Sequence, residues 1–194
     1  MKTYPLDDVE KIKDIADYLI DQGNKRNYLL YMFGLHVGPR VEEYLSLKVR
    51  DVRDDRNRIV EQVELYEHKK SRTRKLKLSK ELRDVLKDYV EGMRSYEYLF
   101  ESQKATTHGA SKPISRQQAF NILNDAGDYF GVRLSPHVLR KTFAMALYES
   151  CGRNILIPMT ALGHTTPKQT MDYLCLTEEN VNEYVEKLSF HKRK

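Results

Sequence analysis

Hydrophobic residues recur with helical spacing along most of the chain. Between Asp7 and Gln22 the apolar positions fall every three or four residues, on one helix face. Asp7 is suited to cap this helix, and Gly23 is suited to end it. The same spacing predicts helices over about 26–36, from Pro39 onward, and over 80–93, 115–130, 136–150, 155–162, from 166 onward and 177–188. The chain is therefore predicted to be mainly helical.

One region departs from this period. Residues 58–60, 62–65 and 74–78 favour strands, because charged and apolar residues alternate or β-branched residues cluster there. The basic run 68–75 would close a hairpin, and the polar stretch 102–113 predicts a loop. The predicted fold class is α+β, mainly helical, with a small antiparallel sheet or hairpin. A single domain over residues 1–194 is the simplest organisation.

Composition narrows the class of protein. The chain has 194 residues, 40% hydrophobic and 31% charged, as expected of a soluble globular domain. It contains no apolar run of about 18 residues, so no membrane span is expected. The first residues run directly into charged positions, which predicts no secretory signal. Two cysteines, Cys151 and Cys175, fit a reducing cytoplasm rather than a disulfide framework.

The charge is positive and unevenly distributed. The net charge is +5, and the run His68-Lys69-Lys70-Ser71-Arg72-Thr73-Arg74-Lys75 is densely basic. This balance permits nucleic-acid binding without requiring it, since basic runs also form ordinary solvated surfaces.

Five residues suggest chemistry on a phosphodiester. Arg40 precedes a helical pattern, and His137 and Arg140 are three residues apart on one predicted helix face. His164 follows a Leu-Gly pair, and Tyr173 comes nine residues later. Arginine binds phosphate through a permanently charged fork, histidine exchanges protons near neutral pH, and a phenol can act as a nucleophile. Each residue alone also has a plain structural interpretation, since Tyr173 is one of 13 tyrosines.

The order and spacing of these residues resemble the catalytic domain of the tyrosine recombinases, the phage integrase family, over nearly the whole chain. The resemblance implies a site-specific recombinase or integrase that cuts and rejoins DNA through a covalent 3′-phosphotyrosine, without cofactor, metal or ATP. It implies Tyr173 as nucleophile, Arg40, Arg140 and His164 as phosphate ligands, and His137 as general base. The chain also carries neither a Gly-rich phosphate loop nor a paired acidic cluster for magnesium.

The family supplies the remaining expected roles. A hairpin lysine acts as general acid on the leaving 5′ oxygen, and counting back from the second strand gives Lys69, with the adjacent Lys70 left open. Lys70, Arg72 and Arg74 are the expected DNA contacts. Glu43 matches an acidic family position and is expected to fix either the local helix or the orientation of Arg40, without taking part in the chemistry.

The expected partner is double-stranded DNA. The protein is expected to be a monomer when free and a homotetramer on paired DNA sites. The origin would be bacterial, phage or mobile-element, and the location cytoplasmic.

Most members carry a separate helical domain before the catalytic one. This chain is therefore expected to be either a C-terminal piece or a naturally small member. The predicted helix over 177–188 could pack on its own domain or dock into a neighbouring subunit.

Two other functions share some of these residues. A type IB topoisomerase uses similar arginines, a lysine, a histidine and a tyrosine, but the Leu-Gly-His piece and its short distance to Tyr173 favour the recombinase. A non-enzymatic DNA-binding regulator could keep the fold, although the complete set of catalytic residue types speaks against it.

Overall fold

Helices form most of the structure, a computed structural model that describes residues 3–67, 71–103, 111–176 and 185–186. The helices are α1 (Val9–Asp21), α2 (Lys25–Val37), α3 (Val41–Tyr44), α4 (Val49–Val52), α5 (Lys80–Tyr89), α6 (Arg116–Tyr129), α7 (Pro136–Ser150), α8 (Leu156–Leu162) and α9 (Pro167–Leu174), and the strands are β1 (Gln62–Glu67) and β2 (Arg72–Lys77). The chain forms two compact units, Met1–Phe143 and Ala144–Lys194, with the boundary inside α7. The prediction of one domain stays a prediction. In the part of the chain described, no helix is long and apolar enough to cross a membrane.

The first two helices are set by local caps. Asp8, one residue after the predicted Asp7, caps α1 by accepting a hydrogen bond from the backbone nitrogen of Lys11 at 3.1 Å. Asn24 caps α2 in the same way. Helix α2 is buried over most of its length and supplies Leu29, Leu30 and Phe33 to the core of the first unit. This helix ends at Gly38.

Strands β1 and β2 form a two-stranded antiparallel sheet, called the hairpin below, with Val63 opposite Leu76. Strand β2 begins at Arg72, two residues before the predicted start. The predicted strand over 58–60 is wrong, because Ile59 makes only an isolated bridge to Arg53. In β1 every second residue is buried, and the last of these is Glu67.

The predicted third helix is broken in two. Instead of beginning at Pro39, α3 begins after Arg40, its N-cap. Backbone hydrogen bonds from Leu99 to Leu47 and from Val49 to Glu97 pair the chain between α3 and α4 with residues 97–99. Because those groups are used between segments, the helix cannot continue through them. Helix α5 likewise ends at Tyr89, before the predicted residue 93.

The second unit holds helices α8 and α9, which pack around Ala144, Leu162 and Leu174. Thr166 caps α9 and Pro167 takes its first position, as the sequence predicted. The predicted helix over 177–188 lies outside the described residues, except for positions 185 and 186, which are helical.

Gly38 is required by both its backbone and its surroundings. Its φ is +65°, and an added Cβ would lie 2.1 Å from Cδ1 of the Phe143 ring. We expect Gly38→Ala to lower the free energy of unfolding by roughly 3–5 kcal/mol, from left-handed strain plus overpacking. Denaturant unfolding measures this. Gly23→Ala is the matched control, since its φ is +68° but nothing lies within 4 Å. Equal losses in the two variants would refute the steric argument.

Candidate functional site

The turn after α2 carries Arg40 and also accepts a hydrogen bond from Arg140. Arg40 follows Gly38 by two residues, and Arg140 of α7 donates a hydrogen bond from Nη1 to the carbonyl oxygen of Gly38. Arg140 is buried, with 5% of its surface exposed. This contact joins positions 102 residues apart. It places the Arg140 guanidinium at the turn that carries Arg40.

Glu43 fixes the orientation of Arg40, one of the two roles predicted from the sequence. Its carboxylate accepts hydrogen bonds from Nη1 of Arg40 at 3.0 Å and from the Arg40 backbone nitrogen at 3.3 Å. The Glu43 side chain is buried, whereas 29% of the Arg40 side chain is exposed. Among the residues that the structure describes, Nε and Nη2 of Arg40 have no acceptor. Arg40 is therefore held by one edge of its guanidinium group.

The hairpin contributes a second set of ion pairs. Nε of Arg72 lies 2.6 Å from Oε2 of Glu67, and Nε of Arg74 lies 3.5 Å from Oε1 of the same residue. Nη2 of Arg74 also lies 4.0 Å from Oε2 of Glu43. Burial lowers the pKa of Arg74, while Glu67 and Glu43 act in the opposite direction.

The hairpin residues predicted to touch DNA therefore differ in accessibility. About half of the Arg72 side chain is exposed, against 12% for Arg74. Lys69 and Lys70 lie outside the described residues. Sequence reasoning missed Glu67, although its position in phase with the buried Val63 and Leu65 was a signal that it faces the core.

His137 lies on the exposed side of α7. Partial burial lowers its pKa below the usual 6.5, and the positive charges of Lys141 and Arg140 lower it further. Lys141 is itself buried, and its Nζ donates to the carbonyl oxygen of Thr3 at 2.7 Å. These effects favour neutral imidazole near pH 7, the form that can accept a proton.

The depressed pKa of His137 predicts a pH dependence. Above pH 6.5 the imidazole of His137 is neutral in both the folded and the unfolded chain, so its contribution to the free energy of unfolding is fully present there. It is lost as the pH falls from 6.5 through the lower folded value, because the unfolded chain takes up the proton first. We expect the titration of His137, followed by NMR, to have its midpoint below 6.5 and to move upward in Lys141→Gln.

His36 is the internal reference for this titration. Burial lowers the pKa of His36 as well. The nearby charge that acts on this pKa is that of Glu81, which raises it, and Lys141 has no part in it. Its midpoint should stay unchanged in Lys141→Gln. A midpoint of His137 that is also unchanged would contradict the assigned cause.

The second unit holds the predicted histidine and tyrosine. His164 follows Gly163, which ends α8 in the left-handed conformation. Nδ1 of His164 lies 3.0 Å from Oγ1 of Thr170, a fully buried residue of α9. The rings of His164 and Tyr173 meet edge to face, with centroids 5.4 Å apart. Thr170, which sequence reasoning missed, therefore sets the orientation of a ring that contacts Tyr173.

The mainly helical fold with its two-stranded antiparallel sheet is shared with solved recombinases. The model of the phage integrase family matches residues 3–180, and the chain belongs to this family, the tyrosine recombinases. Over 176 residues it is 32% identical to the probable integrase/recombinase YoeC of Bacillus subtilis (strain 168), covering 90% of this chain and 91% of YoeC.

Two solved structures show the same fold. A crystal structure of XerA recombinase superposes with a TM-score of 0.69 at 22% identity, covering all of this chain and 65% of that one. XerH site-specific recombinase, bound to its difH substrate in a pre-cleavage complex, gives a TM-score of 0.68 at 19% identity, covering 95% of this chain and 54% of XerH. The chain thus spans between half and two thirds of the length of these recombinases.

These findings confirm the predicted family, the mainly helical fold with a two-stranded antiparallel sheet, and the enzyme class. The roles assigned to individual residues stay predictions. In the described ranges, no three His, Cys, Asp or Glu side chains are grouped to hold a metal ion. A reaction without metal or ATP is likewise still a prediction.

Proposed function

We propose that this chain is a site-specific recombinase that cuts and rejoins double-stranded DNA through a 3′-phosphotyrosine intermediate. The observation that carries the proposal is the bond from Arg140 to the Gly38 carbonyl, which places Arg140 at the turn carrying Arg40. Two guanidinium groups at one turn suit the two non-bridging oxygens of a phosphodiester. Family membership favours recombination over the topoisomerase and the non-enzymatic alternatives.

In the proposed reaction, the arginines and His164 bind the scissile phosphate and neutralise the charge that grows on its oxygens. Oη of Tyr173 forms a bond to phosphorus while the bond from phosphorus to the 5′ oxygen breaks. His137 accepts the phenol proton, and Lys69 donates a proton to the departing 5′ oxygen.

Rejoining is the same reaction in reverse. The oxygen of a 5′-hydroxyl on another strand forms a bond to phosphorus and gives its proton to Lys69. The bond from phosphorus to Oη of Tyr173 breaks, and His137 returns the proton to the phenol. Since the covalent intermediate retains the broken bond as a phosphodiester, neither ATP nor a metal ion is needed in this scheme.

The proposed partner is double-stranded DNA in the cytoplasm, as the DNA complex of the similarly folded XerH supports. We further propose that residues 1–194 act as one catalytic domain, and that four copies assemble on two paired sites so that strands can be exchanged between duplexes. Contacts to DNA would come from the hairpin residues Lys70 and Arg72 and from the start of α7, chiefly to phosphates.

Covalent trapping tests the proposal. The protein is incubated with nicked duplexes taken from the DNA that flanks its gene, in which cleavage releases a short fragment and prevents rejoining. Denaturing electrophoresis then separates a protein–DNA adduct, and mass spectrometry of the digested adduct identifies the linked peptide. We expect linkage at Tyr173 to a 3′ phosphate. Cleavage without any adduct, by a protein that binds the duplex, would contradict the proposal.

A further inference from the structure

Five charged side chains alternate in sign from the turn after α2 to the hairpin, in the order Arg40, Glu43, Arg74, Glu67, Arg72. The N–O separations along this row are 3.0, 4.0, 3.5 and 2.6 Å. Each of the two carboxylates is buried and lies between two guanidinium groups. A buried carboxylate needs such compensation, since removal from water strongly disfavours its charge.

Arg74 is the member that lies within 4.0 Å of both carboxylates. Its side chain is 12% exposed, and it faces Glu43 on one side and Glu67 on the other. Arg72, two residues earlier in the same strand, is half exposed and, among the described residues, forms an ion pair with Glu67 alone. The two arginines therefore carry the same charge but differ in whether they reach Glu43.

We propose that Arg74 is a positioning residue for Arg40, acting through Glu43, and not a contact to DNA. The inference rests on the proposed function, in which Arg40 binds the scissile phosphate. With Arg74 present, the charge of Glu43 is shared by two cations, and Arg40 needs to give it only Nη1. Without Arg74, Arg40 alone must compensate the buried carboxylate. Its guanidinium then turns towards Glu43, and fewer of its donors point to a phosphate.

The first test uses the protein without DNA. The side-chain Nε–H resonance of Arg40 is followed by nitrogen NMR, with assignment from Arg40→Lys. We expect Arg74→Met to shift this resonance and to slow rotation of the guanidinium, and Arg72→Met, which acts on Glu43 only through Glu67 and Arg74, to change both much less. An unchanged Arg40 signal in Arg74→Met would overturn the proposal. Arg74→Lys, which keeps the charge without the planar fork, gives the same comparison if the methionine variant does not fold.

The second test separates DNA binding from the covalent step. With a nicked duplex from the trapping experiment, Arg74→Met should form adduct about tenfold or more slowly at saturating DNA, with its Kd within about twofold of the unmodified chain. Arg74→Lys should recover part of the rate. If Arg74 instead contacted DNA, the variant would bind more weakly, with a smaller salt dependence, and cleave normally once saturated.

A third experiment tests whether Arg74→Met forms adduct more slowly because Arg40 neutralises the phosphate charge less well. A single methylphosphonate at the mapped cleavage position removes the anionic oxygen that Arg40 would neutralise. On this substrate the rate of adduct formation by Arg74→Met should come closer to the rate of the unmodified chain. A ratio of the two rates that stays the same as on the ordinary substrate would overturn the proposal.

The outcomes distinguish the inference from the function on which it rests. If the unmodified chain binds DNA but forms no adduct, the proposed function fails, while the NMR comparison still decides whether Arg74 positions Arg40. If the unmodified chain forms adduct and Arg74→Met does so equally fast, only the inference fails.

Discussion

Replacing Tyr173 with phenylalanine is expected to abolish adduct formation, with a loss on the order of 10⁴-fold or more. The substitution removes one oxygen atom, which in the proposed mechanism is the nucleophile. The ring itself packs against the cluster of Ala144, Leu162 and Leu174 and edge-on to His164, and phenylalanine keeps that packing. Folding and DNA affinity should therefore change little, with at most about 1.5 kcal/mol lost from a hydroxyl hydrogen bond.

Tyr148→Phe is the matched control for this prediction. Tyr148 packs against the same cluster in the same unit. Its phenylalanine variant loses the same group, one phenolic hydroxyl. Adduct formation by Tyr148→Phe at an unchanged rate would assign the effect to Tyr173 specifically. Continued adduct formation by Tyr173→Phe would show that another residue is the nucleophile, and peptide mapping of that adduct would identify it.

The elements that carry the site residues could be predicted because their signals are local. Pro136 at the start of α7, and Thr166 with Pro167 at the start of α9, fix two helices within a few residues of sequence. His137, Arg140 and Tyr173 therefore lie on the helices that the sequence predicted. The order of these residues also led to the family, since that pattern does not require knowledge of any distant contact.

The contacts that organise the arginines could not be predicted in this way. The bond between Arg140 and Gly38 joins two segments 102 residues apart, and no local periodicity indicates it. The break between α3 and α4 likewise arises from backbone pairing with residues 97–99. Glu67 is a different case, because its phase with Val63 and Leu65 indicated a core position while its charge alone favours the surface.

Arg74 shows that composition alone does not determine which groups a side chain contacts. In the sequence it belongs to a basic run, and a basic run suggests exposed DNA contacts. In the structure Arg72 and Arg74 lie on the same face of β2, yet Arg74 is largely buried between two carboxylates while Arg72, at the first position of the strand, keeps half of its side chain exposed. The charge of a run therefore says less about its contacts than the position that each residue takes along the strand.

Arg140→Lys is expected to slow adduct formation by on the order of 10²–10³-fold, comparable to losing one preorganised donor to a transition state. Lysine keeps the positive charge, but one ammonium group cannot bind the Gly38 carbonyl and hold a phosphate oxygen in the fixed geometry of a guanidinium. The free energy of unfolding should also fall by about 1–3 kcal/mol, because the Gly38 carbonyl loses its buried donor.

Single-turnover trapping and denaturant unfolding measure the two effects separately, provided that the rates are compared where the variant is fully folded. Arg58→Lys is the control, since Arg58 is exposed and pairs with Asp54 on the surface, so it should alter neither quantity appreciably. A variant of Arg140 that is destabilised yet cleaves at the normal rate would show that Arg140 only ties α7 to the turn at Gly38. The scissile phosphate would then have to be bound by Arg40 and by cations other than Arg140.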